Sequence, residues 1–173
     1  RRSAVSCYGL AVISKRSPWG VDRWGPRRAK VKGGTTRLDI AKEQITGGIR
    51  RIRDGARFNS IPFSDNALPM EEVLVEMDDS LREDSMLFVE GLRAGGGTNA
   101  YEGLAAAFED EFVDTIYLLT DGIPNGDPVA IREEVERWNS VRGIRIHCIS
   151  IGSTSAFLKG IAEDSGGEYT EVK

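Results

Sequence analysis

The sequence predicts an α/β fold, with helices on both faces of a central β-sheet whose strands are mostly parallel. Two patterns support this prediction. Short apolar segments typical of strands alternate with longer segments in which apolar residues recur at the spacing of one helix face. One of the short segments, residues 115–120, is almost continuously apolar, which is typical of a parallel strand with helices on both sides.

Composition narrows the class of protein. The 173 residues are enough for one domain with a sizeable core, and the 40% hydrophobic and 29% charged fractions are ordinary for a globular protein. The net charge is −4 and the Lys and Arg residues are spread among acids, so nothing indicates a nucleic-acid-binding protein. No apolar run is long enough to span a membrane. Because the chain begins with Arg1, we expect it to be a piece of a longer chain.

The first 35 residues contain one apolar segment and many turn-forming residues. Residues 8–13 are apolar and fit either a first strand or a strand-like arm. We expect an N-terminal arm of residues 1–16 and a domain of residues 17–173. Glycine and proline crowd the start of that domain, where only residues 19–22 resemble a short strand, which ends on Asp22.

A helix and a strand are predicted next. The sequence from Thr36 resembles a capping box and starts a helix that ends at residues 54–55. Its apolar face consists of Leu38, Ala41, Ile45, Ile49 and Ile52. Residues 57–63 predict a strand, but Pro62 has no amide donor, so we expect this strand to be flawed or to lie at an edge of the sheet.

The rest of the chain alternates strands and helices. Val73, Val75 and Met77 predict a short strand over residues 72–77, and Asp79 or Ser80 is expected to cap the helix after it. The later elements are a helix from Ala100 to about Glu109, a strand at 115–120, a helix that begins near Pro128, a strand at 144–151, a helix at 156–164 and a last strand at 168–172.

Three oxygen-bearing side chains are predicted to meet at one edge of this sheet, because ligands of parallel sheets bind beyond the carboxyl ends of the strands. They are Asp22, Thr98 after the glycines at 95–97, and Asp121 after the most apolar strand. Carboxylate and hydroxyl oxygens suit Mg²⁺, Mn²⁺ or Ca²⁺. The alternative is that Thr98 or Asn99 only caps a helix and that Asp121 only belongs to a turn.

The residues give little support for an enzyme. His147 is the only histidine, and its neighbour Cys148 points to the opposite face of the predicted strand, so the two cannot form a catalytic dyad directly. The pattern Gly95-x-Gly97-x-x-Ala100 fits a dinucleotide fingerprint only superficially, because it follows a helix and not a strand. A hydrolase or phosphotransferase is therefore the least favoured of the function classes.

Several segments together resemble the von Willebrand factor type A (VWA) domain, particularly the bacterial kind. They are GGGTN at 95–99, IYLLTDGIP at 116–124, IRIHCISIG at 144–152 and FLKGIAEDSGGEY at 157–169, while residues 38–63 fit the family's first helix and second strand. The resemblance covers nearly the whole chain. It implies a Rossmann-like, three-layer VWA fold with one short antiparallel edge strand near residues 72–77, and a non-enzymatic protein-interaction or adhesion module.

Such domains hold a divalent cation, here Mg²⁺ or Mn²⁺, at a metal-ion-dependent adhesion site (MIDAS), where a carboxylate of the partner completes the coordination. Its pattern is Asp-x-Ser-x-Ser, then a Thr, then an Asp. By this resemblance Asp22, Thr98 and Asp121 are the metal ligands. Trp24 and Pro26 replace the two serines, however, and neither provides a hydroxyl, so the resemblance implies a degenerate site with weakened or lost metal binding.

The alternative function is therefore a metal-independent scaffold or binding domain. The resemblance favours an extracytoplasmic or cell-envelope location, whereas the residues alone leave the compartment open. Cys7 and Cys148 allow either one disulfide or two unpaired thiols. The identity of the protein partner is beyond what the residues indicate.

Overall fold

The structure, a computed structural model, describes residues 9–15, 36–120 and 124–172. Within these ranges, six strands form one sheet in the order β3-β2-β1-β4-β5-β6. The strands are β1 Gly9–Lys15, β2 Arg57–Phe63, β3 Val75–Glu76, β4 Thr115–Thr120, β5 Arg145–Ile151 and β6 Tyr169–Val172. The helices between them are α1 Arg37–Ile49, α2 Asp79–Gly91, α3 Ala100–Glu109, α4 Pro128–Asn139 and α5 Ala156–Ser165. The alternation predicted from sequence is confirmed.

Two hydrophobic clusters place the helices on opposite faces of the sheet. α3, α4 and α5 bury their apolar residues on one face, with Leu104, Val135 and Leu158 among the side chains that meet the strands. α1 and α2 cover the other face through residues such as Ile45 and Val89. All six residues of β4 are buried, as expected of a strand between two helical layers. The fold is therefore the predicted three-layer α/β arrangement.

The prediction of a mostly parallel sheet is confirmed, since four of the six strands share one direction, but β1 is a second reversed strand that was not predicted. β2, β4, β5 and β6 share one direction, and the two-residue β3 is the predicted antiparallel edge strand. β1 also runs backwards: it is antiparallel to both β2 and β4, and Gly9 lies opposite both Phe63 and Thr120. Residues 8–13 thus contain a true strand, while the predicted boundary at residue 17 falls outside the described residues.

The sheet has two unlike ends, because four of its strands run in one direction and end on the same side. We call the end where β2, β4, β5 and β6 finish, at Phe63, Thr120, Ile151 and Val172, the carboxyl edge. The carboxyl end of β1, Lys15, pairs with Arg57 at the opposite edge. A strand at residues 19–22 would lie among residues that are not described, so that prediction stays untested.

Pro62 is accommodated because its missing donor faces away from the sheet centre. The Pro62 carbonyl accepts a hydrogen bond from the Leu68 amide at 2.9 Å, on the side of β2 that does not contact β1. The amide and carbonyl of one strand residue point to the same side, so the absent N–H lies on this outer side too. β3 pairs only with Arg57 and Phe58 and does not reach Pro62. β2 is not an edge strand of the sheet, but at Pro62 no described strand pairs with its outer side, so this stretch behaves like an edge strand.

Three local predictions were wrong in detail. α1 ends at Ile49 and not at residues 54–55. The cap of α2 is Asp78, whose carboxylate accepts from the Leu81 amide at 2.7 Å. In the β3 region, Val73 is 60% exposed and its neighbour Leu74 is buried instead, because only two residues there are in strand geometry.

α1 and α2 cap each other's carboxyl ends, although neither has a basic residue in its own last turn. Lys42 of α1 donates to the carbonyls of Glu90 and Leu92 at 2.8 and 2.7 Å. Arg82 of α2 donates in return to the carbonyls of Ile49 and Ile52 at 2.9 and 2.7 Å. A cation at a helix carboxyl end satisfies orphan carbonyls and complements the helix dipole.

Candidate functional site

The glycine-rich segment at residues 95–99 leads into α3 at the carboxyl edge. Gly96 has a φ of 85°, a left-handed conformation that favours glycine. Asn99 is the helix cap, since its side chain accepts from the Glu102 amide at 3.3 Å. The capping role that sequence left open between Thr98 and Asn99 therefore belongs to Asn99.

The loop after β2 holds this segment from one side. Asp65 Oδ1 accepts from the Gly97 amide at 2.8 Å. The carbonyl of Ser64 accepts from the Asn99 amide at 2.7 Å, and the Asp65 carbonyl accepts from Asn99 Nδ2 at 3.1 Å. Three hydrogen bonds thus fix the residues on both sides of Thr98.

The loop after β4 holds the same segment from the other side. The Asn125 amide donates to the Thr98 carbonyl at 2.8 Å. A Cβ atom at Gly97 would lie 2.4 Å from Asn125 Nδ2 and 2.8 Å from Asp65 Oδ1. Gly97 is therefore enclosed between two polar side chains, and only glycine fits without displacing one of them.

Thr98 is half-buried at this edge, and its hydroxyl forms no hydrogen bond with any described residue. β4 ends at Thr120, immediately before Asp121. Asp121 and Asp22, the other two predicted ligands, lie outside the described residues. Within the described ranges, no group of three or more His, Cys, Asp and Glu side chains is placed to hold a metal. The structure therefore describes the position of one of the three predicted ligands, Thr98, and the ligand set stays a prediction.

A family model of the von Willebrand factor type A domain matches residues 31–170, more than half of the chain. The chain belongs to the von Willebrand factor type A family. Domains of this family are in general protein-interaction modules, often with a divalent cation at a MIDAS. The family prediction is confirmed, whereas the bacterial type and the degenerate ion site stay predictions.

Curated relatives and solved structures agree with this assignment. The VWA chain is 30% identical to human von Willebrand factor A domain-containing protein 3B over 139 residues, which cover 78% of the chain and 10% of that relative. It is 30% identical to human protein 3A over 116 residues, 65% of the chain and 10% of the relative. The chain thus spans about a tenth of the length of these relatives.

Two solved structures share the fold. A von Willebrand factor type A protein from Catenulispora acidiphila superposes with a TM-score of 0.69 at 23% identity, covering 79% of this chain and 34% of that one. Proximal thread matrix protein 1 from the mussel byssus gives a TM-score of 0.60 at 21% identity, covering 78% and 36%. At such identities the likeness concerns the fold alone. No helix in the described part of this VWA domain has the length and apolarity of a membrane span.

His147 and Cys148 of the VWA domain have separate structural roles. The His147 ring stacks on Tyr117, with centroids 4.9 Å apart, and its Nδ1 accepts from the Glu168 amide at 3.2 Å. Cys148 is a free thiol in the hydrophobic core of the opposite face, and burial raises its pKa. A raised pKa opposes the thiolate form, so this pair is not a nucleophile with its base.

Two residues of the VWA edge were missed from sequence, Asp65 and Asn125. Both follow a strand that ends at the carboxyl edge: Asp65 follows β2 and Asn125 follows β4. The signal was therefore available: the rule that directed attention to the end of β4 applies equally to the end of β2. Asp65 lies in the sequence Ser-Asp-Asn, which by itself indicates only a turn.

Proposed function

We propose that this VWA domain binds a protein partner at the carboxyl edge of its sheet, and that a divalent cation held by Asp22, Thr98 and Asp121 bridges to a carboxylate of the partner. The observation that carries the proposal is the Thr98 hydroxyl. Thr98 is half-buried at this edge, and its hydroxyl has no hydrogen-bond partner among the described residues and is not needed for capping.

The donor set fits a hard cation. Two carboxylates and a hydroxyl are the oxygen ligands that Mg²⁺ and Mn²⁺ prefer. The glycine loop is also held on two sides, by Asp65 and Asn125, so that Thr98 is positioned before any ion binds. A preorganised ligand loses less conformational entropy on binding. The bound ion would supply a positive charge to which a partner carboxylate can coordinate.

The residues that replace the two serines determine how strongly we expect the metal ion to bind. Trp24 and Pro26 stand where the family pattern has two hydroxyl ligands, and Arg27 adds a positive charge nearby in the sequence. Mg²⁺ requires a nearly octahedral shell, so water must fill the missing positions. We therefore expect weaker metal binding than in a domain with the complete pattern. The same replacements favour the second candidate, a domain that binds its partner without metal.

Calorimetric titration of the 173-residue chain with Mg²⁺ and Mn²⁺ tests the ion. We expect measurable binding in the millimolar range, weakened at least about tenfold by Thr98→Ala, since loss of even an outer-shell partner has such an effect. Thr154→Ala, an exposed threonine in the loop after β5, is the matched control and should bind like the wild type. Absence of both heat and thermal shift at millimolar metal would refute the ion site and leave the metal-independent binding domain.

The double change Trp24→Ser with Pro26→Ser tests the alignment. It restores two hydroxyl ligands and should strengthen Mg²⁺ binding if these positions lie at the ion. Unchanged affinity would place the first part of the site elsewhere in the chain.

A further inference from the structure

Two serine hydroxyls are enclosed in the core on the face of the sheet that α1 and α2 cover. They belong to Ser60 of β2 and Ser85 of α2, and both residues are fully buried. Neither hydroxyl has a hydrogen-bond partner in the part of the chain that the structure describes. Buried polar groups without a partner destabilise a fold and are rare in folded proteins. These two hydroxyls therefore need a partner that the described side chains do not supply.

The backbone groups of both serines are already bonded. The Ser60 amide donates to Asn59 Oδ1 at 2.7 Å, and the Ser60 carbonyl accepts from the Met70 amide at 2.8 Å. Ser85 lies inside α2, where backbone groups bond within the helix. A serine in a helix often donates to the carbonyl four residues earlier, here that of Leu81, but Ser85 does not. The Ser85 hydroxyl is therefore available to a partner outside its own helix.

The two serines lie on the same face of the sheet. Side chains alternate along a strand, so Ser60 is on the same side as Phe58, which belongs to the hydrophobic cluster under α1 and α2. Ser85 lies one helical turn before Val89, which packs into the same cluster. Both hydroxyls are therefore in the layer between the sheet and these two helices.

α2 covers the half of the sheet that contains β2. It begins only two residues after the edge strand β3, which pairs with β2. α1 instead begins with Arg37, whose side chain lies against Gly152 just beyond β5. The two helices are neighbours, since each caps the carboxyl end of the other. α1 therefore covers the side of β5, and α2 covers the side of β2.

Ser60 and Ser85 also lie at the same level along this layer. Ser60 follows the start of β2 at Arg57 by three residues, about 10 Å at the rise of a strand. Ser85 follows the cap of α2 at Asp78 by seven residues, about 10 Å at the rise of a helix. The two starting points are close, because Asp78 comes two residues after Glu76, which pairs with Arg57. Since α2 and β2 both run toward the carboxyl edge, their two hydroxyls meet at one level of the interface.

We propose that Ser60 and Ser85 together bind one internal water molecule, which bridges α2 and β2. Water can accept from one hydroxyl and donate to the other, and buried waters in proteins typically bond to otherwise unsatisfied polar groups. Serine side chains are small beside neighbours such as Phe58 and Val89, so two of them at one level leave room. An ion is disfavoured as the ligand, because the site is fully buried and neither hydroxyl offsets a charge.

This water joins the two elements that lead to the glycine loop. β2 ends at Phe63, two residues before Asp65, and α2 ends at Gly91, four residues before Gly95. The segments that follow them then meet in the hydrogen bond between Asp65 and the Gly97 amide. The water accordingly holds together two elements whose ends converge on the candidate site. The inference does not depend on what binds there.

Urea unfolding of the 173-residue chain with Ser60→Ala, Ser85→Ala and both changes tests the bridge. Each single change removes one partner of the water, so the equilibrium constant for folding should fall about fivefold. The double change removes both polar groups and the need for the water, so its loss should be well below the product of about 25-fold. If the hydroxyls bind no water, each alanine removes an unsatisfied polar group and raises the constant. Such a rise, or losses that simply multiply, would overturn the inference.

Oxygen-17 relaxation dispersion detects the water itself, because it counts water molecules that stay bound for longer than the protein takes to tumble. It observes the water oxygen, so exchange of hydroxyl protons does not contribute. The wild type should hold one long-lived water more than the variant with both Ser60→Ala and Ser85→Ala. An equal count in the two proteins would overturn the inference, whatever the unfolding data show.

Two matched serines serve as controls. Ser80 is exposed in the first turn of α2, so Ser80→Ala measures what the exchange of serine for alanine does to this helix, and its folding constant should stay within about twofold of the wild type. Ser150 is a buried strand serine whose hydroxyl donates to the Ser153 carbonyl. Ser150→Ala should weaken folding and leave the water count unchanged. A lower count in this variant would show that loss of any buried serine has the effect, and would refute the assignment to Ser60 and Ser85.

Discussion

Replacement of Asp65 by alanine should loosen the glycine loop without unfolding the domain. The Asp65 carboxylate is the acceptor for the Gly97 amide at 2.8 Å, and alanine removes it. The bonds that Asn99 makes to the backbone of Ser64 and Asp65 remain available, because they use carbonyl groups. We therefore expect a local effect, centred on Gly97 and Thr98.

The size of this effect follows from exposure. Hydrogen bonds to charged groups contribute about 1.5–3 kcal/mol, but Asp65 is exposed and water can replace it, so we expect the lower end or less, about 1 kcal/mol. That value raises the equilibrium constant for loop opening about fivefold. Asp65→Asn is the conservative variant: it keeps an Oδ1 acceptor of the same shape and should lose less than half of this energy.

Amide hydrogen exchange measured by NMR is the suitable assay, because it reports the opening of single sites. The Gly97 amide should exchange about fivefold faster in Asp65→Ala than in the wild type, at the free-energy cost given above. The amides of β4 should be unchanged. Unaltered exchange at Gly97 would show that the carboxylate does not hold the loop. Faster exchange throughout β4 would show that the residue serves the stability of the whole fold instead.

Three further predictions concern stability and can be measured by urea unfolding. Gly167→Ala should lower the free energy of unfolding by about 3 kcal/mol, because its Cβ would lie 2.1 Å from a backbone carbonyl of β5. Gly166→Ala has open space around its Cβ, so it should lower that free energy only by the strain of the left-handed conformation, about 1–2 kcal/mol. Equal losses in the two variants would contradict the close approach of Gly167 to β5. Lys42→Met should cost about 1–2 kcal/mol through the two carbonyls it leaves at the end of α2, and no loss would show that water replaces it fully. The Arg132 guanidinium lowers the pKa of Asp164, so the pair stabilises the fold above the pKa that Asp164 has in the unfolded chain, and this stabilisation is lost as pH falls through the pKa that it has in the folded chain. The difference in unfolding midpoint between the wild type and Asp164→Asn should therefore shrink below about pH 4. A difference that stays constant with pH would refute the stabilising role of the pair.

Local signals in the sequence were sufficient for most elements. The capping box from Thr36 is present, with Asp39 bonded back to the Thr36 amide at 2.9 Å. Pro128 occupies the first turn of α4, as its fixed φ and missing donor favour. The direction of β1 could not be predicted, because apolar alternation is the same read in either direction. The pairing that fixes it involves residues far apart in the chain.

The candidate site was predicted less completely than the fold. Thr98 lies at the expected edge, because a glycine loop before a helix and a strand end can be recognised locally. The end of β2 could have placed Asp65 at this edge, but its hydrogen bond goes to Gly97, 32 positions away in the sequence, and no local pattern indicates that contact. Tertiary contacts of this kind depend on how loops from different strands converge.

The reversed central strand affects how the chain can fold. Both partners of β1 come later in the sequence, and the pairing of Gly9 is complete only when Thr120 has joined the sheet. Closing so long a loop is entropically costly, and folding rates fall as contacts become more distant in sequence. The half of the sheet from β4 to β6 contains parallel pairs joined by single helices, so we expect this half to fold first. Insertion of β1 between β2 and β4 would then be the late, rate-limiting event, and during synthesis it could occur only after β4 has left the ribosome.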